Sequence, residues 1–341
     1  MIPLDSGTVL VVGAGGGGDI VTASVFGYKL RRLGFEAYIA APPWERMVVD
    51  PVPGPMALDE IYGYLESGEN YKVIDGSSYA LRDGNRVVFQ AANVSAALGE
   101  PIYIYSLSNG VVGASRGLLE ICDRLDIDLV VAVDVGGDIL ALGDEDELWS
   151  PLADQVTLAS LNTIWRDRGI DVVLAVAAPG ADGELDKEYV LDRVNEVSRQ
   201  GGYIGAMGFD KSDIPIFRRI LSKAVSEAGQ VILNALEGYV GWKVIRKGTR
   251  KVYVDVVSTL VFLMDANTVF NMSPMAPKLV STSSIDEANE ILIGMGVPTE
   301  YELEIEASKL AGERGTNVVD SELINMARLN VLSKVRRRRR H

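Results

Sequence analysis

The chain has 341 residues, 48% of them hydrophobic and 23% charged, with a formal net charge of −14. That composition excludes a disordered or fibrous chain, and the length suits one large α/β domain or two smaller ones. Only one cysteine, Cys122, and one histidine, His341, are present, so an internal disulfide, a Ser-His-Asp triad, a Cys-His pair and a histidine zinc site are excluded.

Residues 8–12 form an apolar, β-branched run that reads as a buried parallel strand. It breaks into Gly13, Gly15, Gly16, Gly17 and Gly18, and an amphipathic helix pattern follows over 19–33. Strand, glycine loop and helix bring backbone N–H groups up to an anionic ligand. The spacing Gly13-x-Gly15-x-x-Gly18 fits a dinucleotide fingerprint. Asp19, however, places a carboxylate where a bare pyrophosphate would be repelled; it suits a cation-bridged phosphate or a ligand hydroxyl.

Gly34 ends the first helix, and residues 35–40 read as the second strand, closed by Ala41, Pro42 and Pro43. A dinucleotide enzyme wants an acid at the end of that strand. None is present; Glu45 and Arg46 come late, and NAD(P) is not expected. No Gly-x-x-x-x-Gly-Lys-Ser/Thr run occurs either, which excludes a P-loop. Lys29, Arg31 and Arg32 complement the C-terminal dipole of the first helix and read as structural.

A helix is expected over 57–65, short strands over 71–74 and 87–90 with a turn at 82–85, and a strand over 102–105. A helix over 113–125 buries Cys122 as a structural thiol. Residues 128–133 are the strongest buried strand. Ser150 reads as an N-cap for a helix that has Pro151 in its first turn and runs to about 168, with Asp154 completing a capping-box-like pair. A strand over 171–177 and helices over 187–199 and 214–227 follow. Residues 231–264 are mixed, with a hairpin at 246–249. Helices are expected over 285–294, 300–310 and 319–332.

Strand–helix alternation predicts a doubly wound, mostly parallel Rossmann-like α/β domain over 1–280. A helical C-terminal cap over 281–333 and a basic tail over 334–341 complete the expected chain. In such a sheet ligands bind beyond the carboxyl ends of the strands. Four loops there are rich in Gly, Asp, Ser or Asn: the glycine loop, the loop with Ser106, Ser108 and Asn109, the Asp134–Gly136–Gly137–Asp138 element, and the loop with Asp182 and Glu184. Asp134 and Asp138 flank two glycines just past a buried strand. They either share a hard cation such as Mg2+ or act as general acid and base. The acids at 144–147 read as a solvated loop.

The segments Gly15-Gly16-Gly17-Gly18-Asp19, Asp134-Val135-Gly136-Gly137-Asp138 and Ser150-Pro151-Leu152-Ala153-Asp154 resemble a mainly archaeal domain-of-unknown-function family, number one-one-five-two, over most of the chain to about residue 310. The resemblance implies an archaeal, cytoplasmic protein and brings no activity.

The residues point to a cation-assisted enzyme, a hydrolase or transferase, acting on a phosphorylated small molecule such as a nucleotide or sugar phosphate. The glycine loop would hold phosphate, with Ser106, Ser108 and Asn109 as further contacts to phosphate or a sugar hydroxyl. Asp19, Asp134 and Asp138 would be the metal or acid/base groups. Two other readings stay open: a nicotinamide- or flavin-binding protein, and a non-enzymatic nucleotide-binding assembly module that docks on RNA or a ribosome through the five arginines at 336–340. No apolar run reaches the roughly 18 residues of a bilayer span, and no signal peptide precedes the first strand. A cytoplasmic homo-oligomer without membrane contact is expected.

Overall fold

The computed structural model describes residues 7–47, 49–315 and 319–338. β1 (Thr8–Gly13) runs through the glycine loop into α1 (Asp19–Arg32) and β2 (Glu36–Ala41). Short strands follow: β3 (Ile61–Tyr62), β4 (Glu66–Ser67), β5 (Lys72–Ile74), β6 (Tyr79–Arg82) and β7 (Asn85–Val87). The chain continues through α2 (Gln90–Leu98), β8 (Ile102–Ile104), α3 (Gly110–Leu125), β9 (Leu129–Val135), α4 (Pro151–Arg168), β10 (Asp171–Ala177), α5 (Lys187–Arg199) and β11 (Tyr203–Gly208). Then come α6 (Ile214–Leu221), α7 (Glu227–Leu236), the hairpin of β12 (Gly241–Ile245) and β13 (Arg250–Val254), and β14 (Leu260–Asp265). Five helices close the sequence: α8 (Ala266–Met272), α9 (Ala276–Leu279), α10 (Ile285–Gly294), α11 (Glu300–Glu313) and α12 (Ser321–Arg338).

Among the described residues, nine strands form one sheet in the order β11-β14-β10-β9-β1-β2-β8-β5-β4. β10, β9, β1, β2 and β8 are mutually parallel. Both edges are finished by antiparallel strands, β14 and β11 on one side and β5 and β4 on the other. All seven residues of β9 are buried, as an apolar run covered by helices on both faces requires. Alternate side chains feed two cores. Leu10, Val12, Val130 and Ala132 pack with residues of α3 and α4, while Val9, Val11, Val131 and Val133 pack with residues of α1 and α2.

The crossover from β1 lays β2 on one side of it, and the chain later returns to lay β9 on the other. That reversal opens a crevice at the carboxyl ends of β1 and β9. Of the C-terminal helices, α10 contributes Ile285, Ala288 and Leu292 to the same core as α3 and α4. Helices α11 and α12 make a small core of their own from Ala307, Leu310, Leu323 and Ala327. Among the described residues no helix is long and apolar enough to cross a membrane. The arginine tail lies outside the described residues from Arg339 onward, as does His341.

Three sequence expectations give way. The helix over 57–65 is a single 3-10 turn, Leu58–Glu60, leading into β3. Gly63 takes φ +69, and Tyr62, Tyr64 and Leu65 are exposed, so no helical apolar face exists there. The strand over 87–90 stops at Val87, because Gln90 begins α2. The helix over 214–227 is two: α6 ends at Leu221, the Val225 N–H turns away to the Gln90 side-chain oxygen, and Ser226 caps α7 by accepting the Gly229 N–H.

Candidate functional site

Six acidic side chains meet at the crevice. Asp19 is the first residue of α1, and Asp134 is the penultimate residue of β9. Asp138 opens the 3-10 turn after Gly136 and Gly137, and Asp154 sits in the first turn of α4. Asp182 and Glu184 lie in the loop after β10. They form two triads, Asp19–Asp134–Asp154 and Asp138–Asp182–Glu184, and within each one carboxylate oxygen per residue lies within 4.8 Å of the others. Asp134 is 1% exposed, Asp154 4% and Asp138 6%.

Two glycines make this convergence sterically feasible. A Cβ on Gly15 would stand 2.8 Å from Asp19 Oδ2 and 3.0 Å from Asp154 Oδ2. A Cβ on Gly136, which takes φ +124, would overlap Asp182 Oδ1. Both positions therefore need glycine for close approach, and Gly136 needs it for its backbone as well.

The hydrogen bonds divide the six acids. Glu184 is saturated by protein donors: Oε2 accepts the N–H groups of Trp149 at 2.7 Å and Ser150 at 2.9 Å, and Oε1 accepts the Ser150 hydroxyl at 2.7 Å with Arg246 Nη2 at 3.5 Å. The aspartates are poorly served. Asp19 Oδ2 accepts the Gly15 N–H at 2.7 Å and Asp182 Oδ2 the Glu184 N–H at 3.2 Å. Asp134 Oδ2, Asp154 Oδ1 and Asp182 Oδ1 are buried and accept from nothing among the described residues. A buried oxygen without a donor is costly.

The proton affinities follow. Burial first, then the charge of Asp182, pushes Asp19 up to about 7. Burial and neighbouring carboxylates push Asp134, Asp138 and Asp154 well above the usual range. Burial, then the Glu184 charge, lifts Asp182 to about 6. Glu184 moves the other way: burial opposes its charge, but Arg246, Arg250 and its donors outweigh burial and hold it below the ordinary value. Buried carboxylates this close together disfavour one another's ionisation.

The first turn of α4 corrects the capping expectation. Ser150 makes no cap bond to the helix; its hydroxyl is turned to Glu184. The free N–H groups of Leu152 and Ala153 are taken instead by Glu300, from α11, at 3.0 and 2.8 Å. Asp154 is thus released from capping and faces the cluster. Glu300 carries no local signal beyond being an acid in the first turn of its own helix; only tertiary packing brings it to α4.

The other sequence candidates take these places. Gly16 is exposed at the mouth and Gly17 takes φ +59. Their N–H groups donate to no protein acceptor among the described residues. Gly18 precedes α1, and Trp44 packs against Gly16 and Gly17. Gly137, at φ +108, turns the chain toward Asp138. The Ser106 hydroxyl donates to the Met56 carbonyl at 2.6 Å and lies 2.8 Å from the Ser108 hydroxyl, and Asn109 precedes α3, all on the far side of β2 from the crevice. Lys29 pairs with Asp210, Arg31 with Glu100 and Arg32 with Asp213, away from the cluster. Cys122 is buried, its thiol pushed up to about 12 by burial. Two arginines that carried no sequence signal, Arg246 and Arg250, reach the Glu184 side of the crevice from the β12–β13 hairpin.

A family model described as a protein of unknown function, DUF1152, matches residues 10–308. No curated protein and no solved structure matches the chain.

Proposed function

Since the chain belongs to the DUF1152 family, whose description names no activity, we propose its function from the geometry alone: a cation-dependent enzyme that acts on a phosphorylated small molecule. The observation that carries this reading is the set of three buried aspartate oxygens, on Asp134, Asp154 and Asp182, that have no donor among the described residues. Hard divalent cations such as Mg2+ take oxygen ligands of this kind. Asp19, Asp134 and Asp154 would hold one cation, and Asp138 and Asp182 a second. Glu184, already saturated by N–H and O–H donors, orients the second triad rather than ligating.

The unused N–H groups of Gly16 and Gly17 stand at the start of α1, where backbone dipoles favour an anion. A phosphoryl group placed there would adjoin the carboxylates of Asp19, Asp134 and Asp154, and a divalent cation held by them would supply charge neutralisation and activation of a nucleophile. Asp19 then completes a cation site instead of repelling phosphate. The reaction class is hydrolysis or transfer at a phosphorylated centre.

Calorimetric titration with Mn2+ and Mg2+, followed by thermal unfolding with nucleotides and sugar phosphates, tests this. Cation binding in the micromolar to millimolar range is expected, lost in both Asp134→Asn and Asp138→Asn while circular dichroism stays native. A phosphate ligand at about 100 times its Kd should stabilise by about 2.7 kcal/mol, only with cation present. Absence of cation binding in the wild type overturns the reading, and a dinucleotide shift independent of cation would replace it with a nicotinamide- or flavin-binding protein.

A further inference from the structure

Resting on the cation-site reading, we propose that Arg46, Arg246 and Arg328 form an anion seat beside the carboxylate crevice, and that the substrate is therefore a diphosphate, such as a nucleoside or sugar diphosphate. One phosphate would lie on the cations and the glycine loop, the other on the arginines.

The arginines outnumber their partners. Arg46 and Arg246 both meet Glu227, Arg246 Nη2 also lies 3.5 Å from Glu184 Oε1, and Glu184 accepts the N–H of Trp149, whose ring lies under the Arg328 guanidinium. Arg250 is buried and consumed by the Gly183 and Glu147 carbonyls. The other three retain donors. Arg328 Nε is buried with no acceptor, and its guanidinium lies 5.2 Å from the Trp149 ring with no ion pair among the described residues. Arg246 meets Glu184 only at 3.5 Å. Arg46 is 59% exposed along its side chain and reaches Glu227 only at 3.7 Å.

The arrangement is built rather than incidental. Arg246 takes φ +51, a left-handed backbone that costs a non-glycine residue energy, and its N–H is pinned by Glu227 at 2.8 Å. Arg246 lowers the Arg46 pKa by like-charge repulsion. Burial first, then Arg250 and Arg246, lowers that of Arg328. Repelling cations held together with unused planar forks are what a phosphate satisfies, through paired N–H donors. Glu184 belongs to the Asp138–Asp182 triad, so an anion on these arginines adjoins a phosphate on the cations. Arg328 lies in α12, beyond the residues that the family model matches.

Calorimetry with pyrophosphate and orthophosphate, each at saturating Mn2+, tests the seat in wild type, Arg328→Ala, Arg328→Lys and the exposed-site variant Arg46→Ala. Wild type should prefer pyrophosphate by about tenfold or more. Both alanine variants should lose most of that preference, with orthophosphate and Mn2+ affinities unchanged, and the lysine variant should recover part of it. Equal binding of the two anions by wild type, or an unchanged preference in both alanine variants, overturns the proposal. A parallel Mn2+ titration without phosphate separates the two readings. If Mn2+ binds but pyrophosphate is not preferred, only the seat fails. If Mn2+ does not bind, the cation reading fails, and cation-free pyrophosphate binding that depends on Arg328 still supports the seat.

Discussion

At the residue scale, neighbours rather than residue type set the character of each acid. Glu184 and Asp134 are both buried carboxylates, yet the proton affinity of one is lowered and that of the other raised. Glu184 has two N–H donors, a hydroxyl and a guanidinium, whereas Asp134 has other carboxylates and a bare oxygen. Asp134→Asn should therefore stabilise the cation-free protein at neutral pH, by about 1 kcal/mol or more, while abolishing stabilisation by Mn2+. Urea unfolding with and without EDTA measures both, and a less stable cation-free variant would contradict the like-charge account. Gly136→Ala should cost about 1–3 kcal/mol from its left-handed backbone alone, plus the overlap with Asp182 Oδ1. The same unfolding experiment reads that loss. Asp134, Asp138 and the flanking glycines were legible because a carboxylate beside Gly-Gly after a buried strand is a local pattern. That Glu184 is satisfied and Asp154 is not depends on partners far away in sequence.

At the element scale, α4 carries the main lesson. Its first turn projects Asp154 into the crevice only because Glu300 takes over the N–H groups that a local cap would bind. Glu300→Ala should lower stability by about 1–2 kcal/mol, as loss of a helix cap does, and weaken Mn2+ binding through the displaced Asp154. Glu300→Gln, which keeps one of the two acceptor oxygens, should recover part of the stability. Calorimetry and urea unfolding of the pair distinguish them. The bounds of α5 and α10 were readable from periodicity, since each presents one apolar stripe to the core. The break between α6 and α7 was not, because it is enforced by the Val225–Gln90 bond and the Ser226 cap.

At the scale of the whole molecule, buried acids tie stability to pH and, under the proposed cation site, to divalent cation. Glu304, which accepts the Gly54 N–H at 2.8 Å and the Trp44 indole N–H at 3.1 Å, is pushed by burial up to about 8. A carboxyl whose folded pKa is raised stabilises fully below its ordinary value of 4.5 and loses that contribution as pH rises through about 8. Cation-free protein should therefore weaken steadily over that window, and Glu304→Gln should flatten the decline in a pH series of urea unfolding curves. A divalent cation at the proposed site would act in the opposite sense, since it would displace protons from the aspartates. Mn2+ should raise the Tm more at about pH 8 than at about pH 5.5, and a larger shift at the acidic pH would count against aspartate ligation.

The sequence by itself determined the parallel sheet, the glycine loop and the acids at the strand ends, because each follows from local periodicity and from what glycine and aspartate permit next to a buried strand. Tertiary structure alone decided the rest. The return of β9 beside β1 brought Asp19, Asp134, Asp138, Asp154 and Asp182 into one crevice and left Ser106, Ser108 and Asn109 beyond β2. Glu300 and the arginines of the hairpin and α12 reached it from distant segments. Charge interactions and burial act through space, so their outcome is fixed only when the chain has folded.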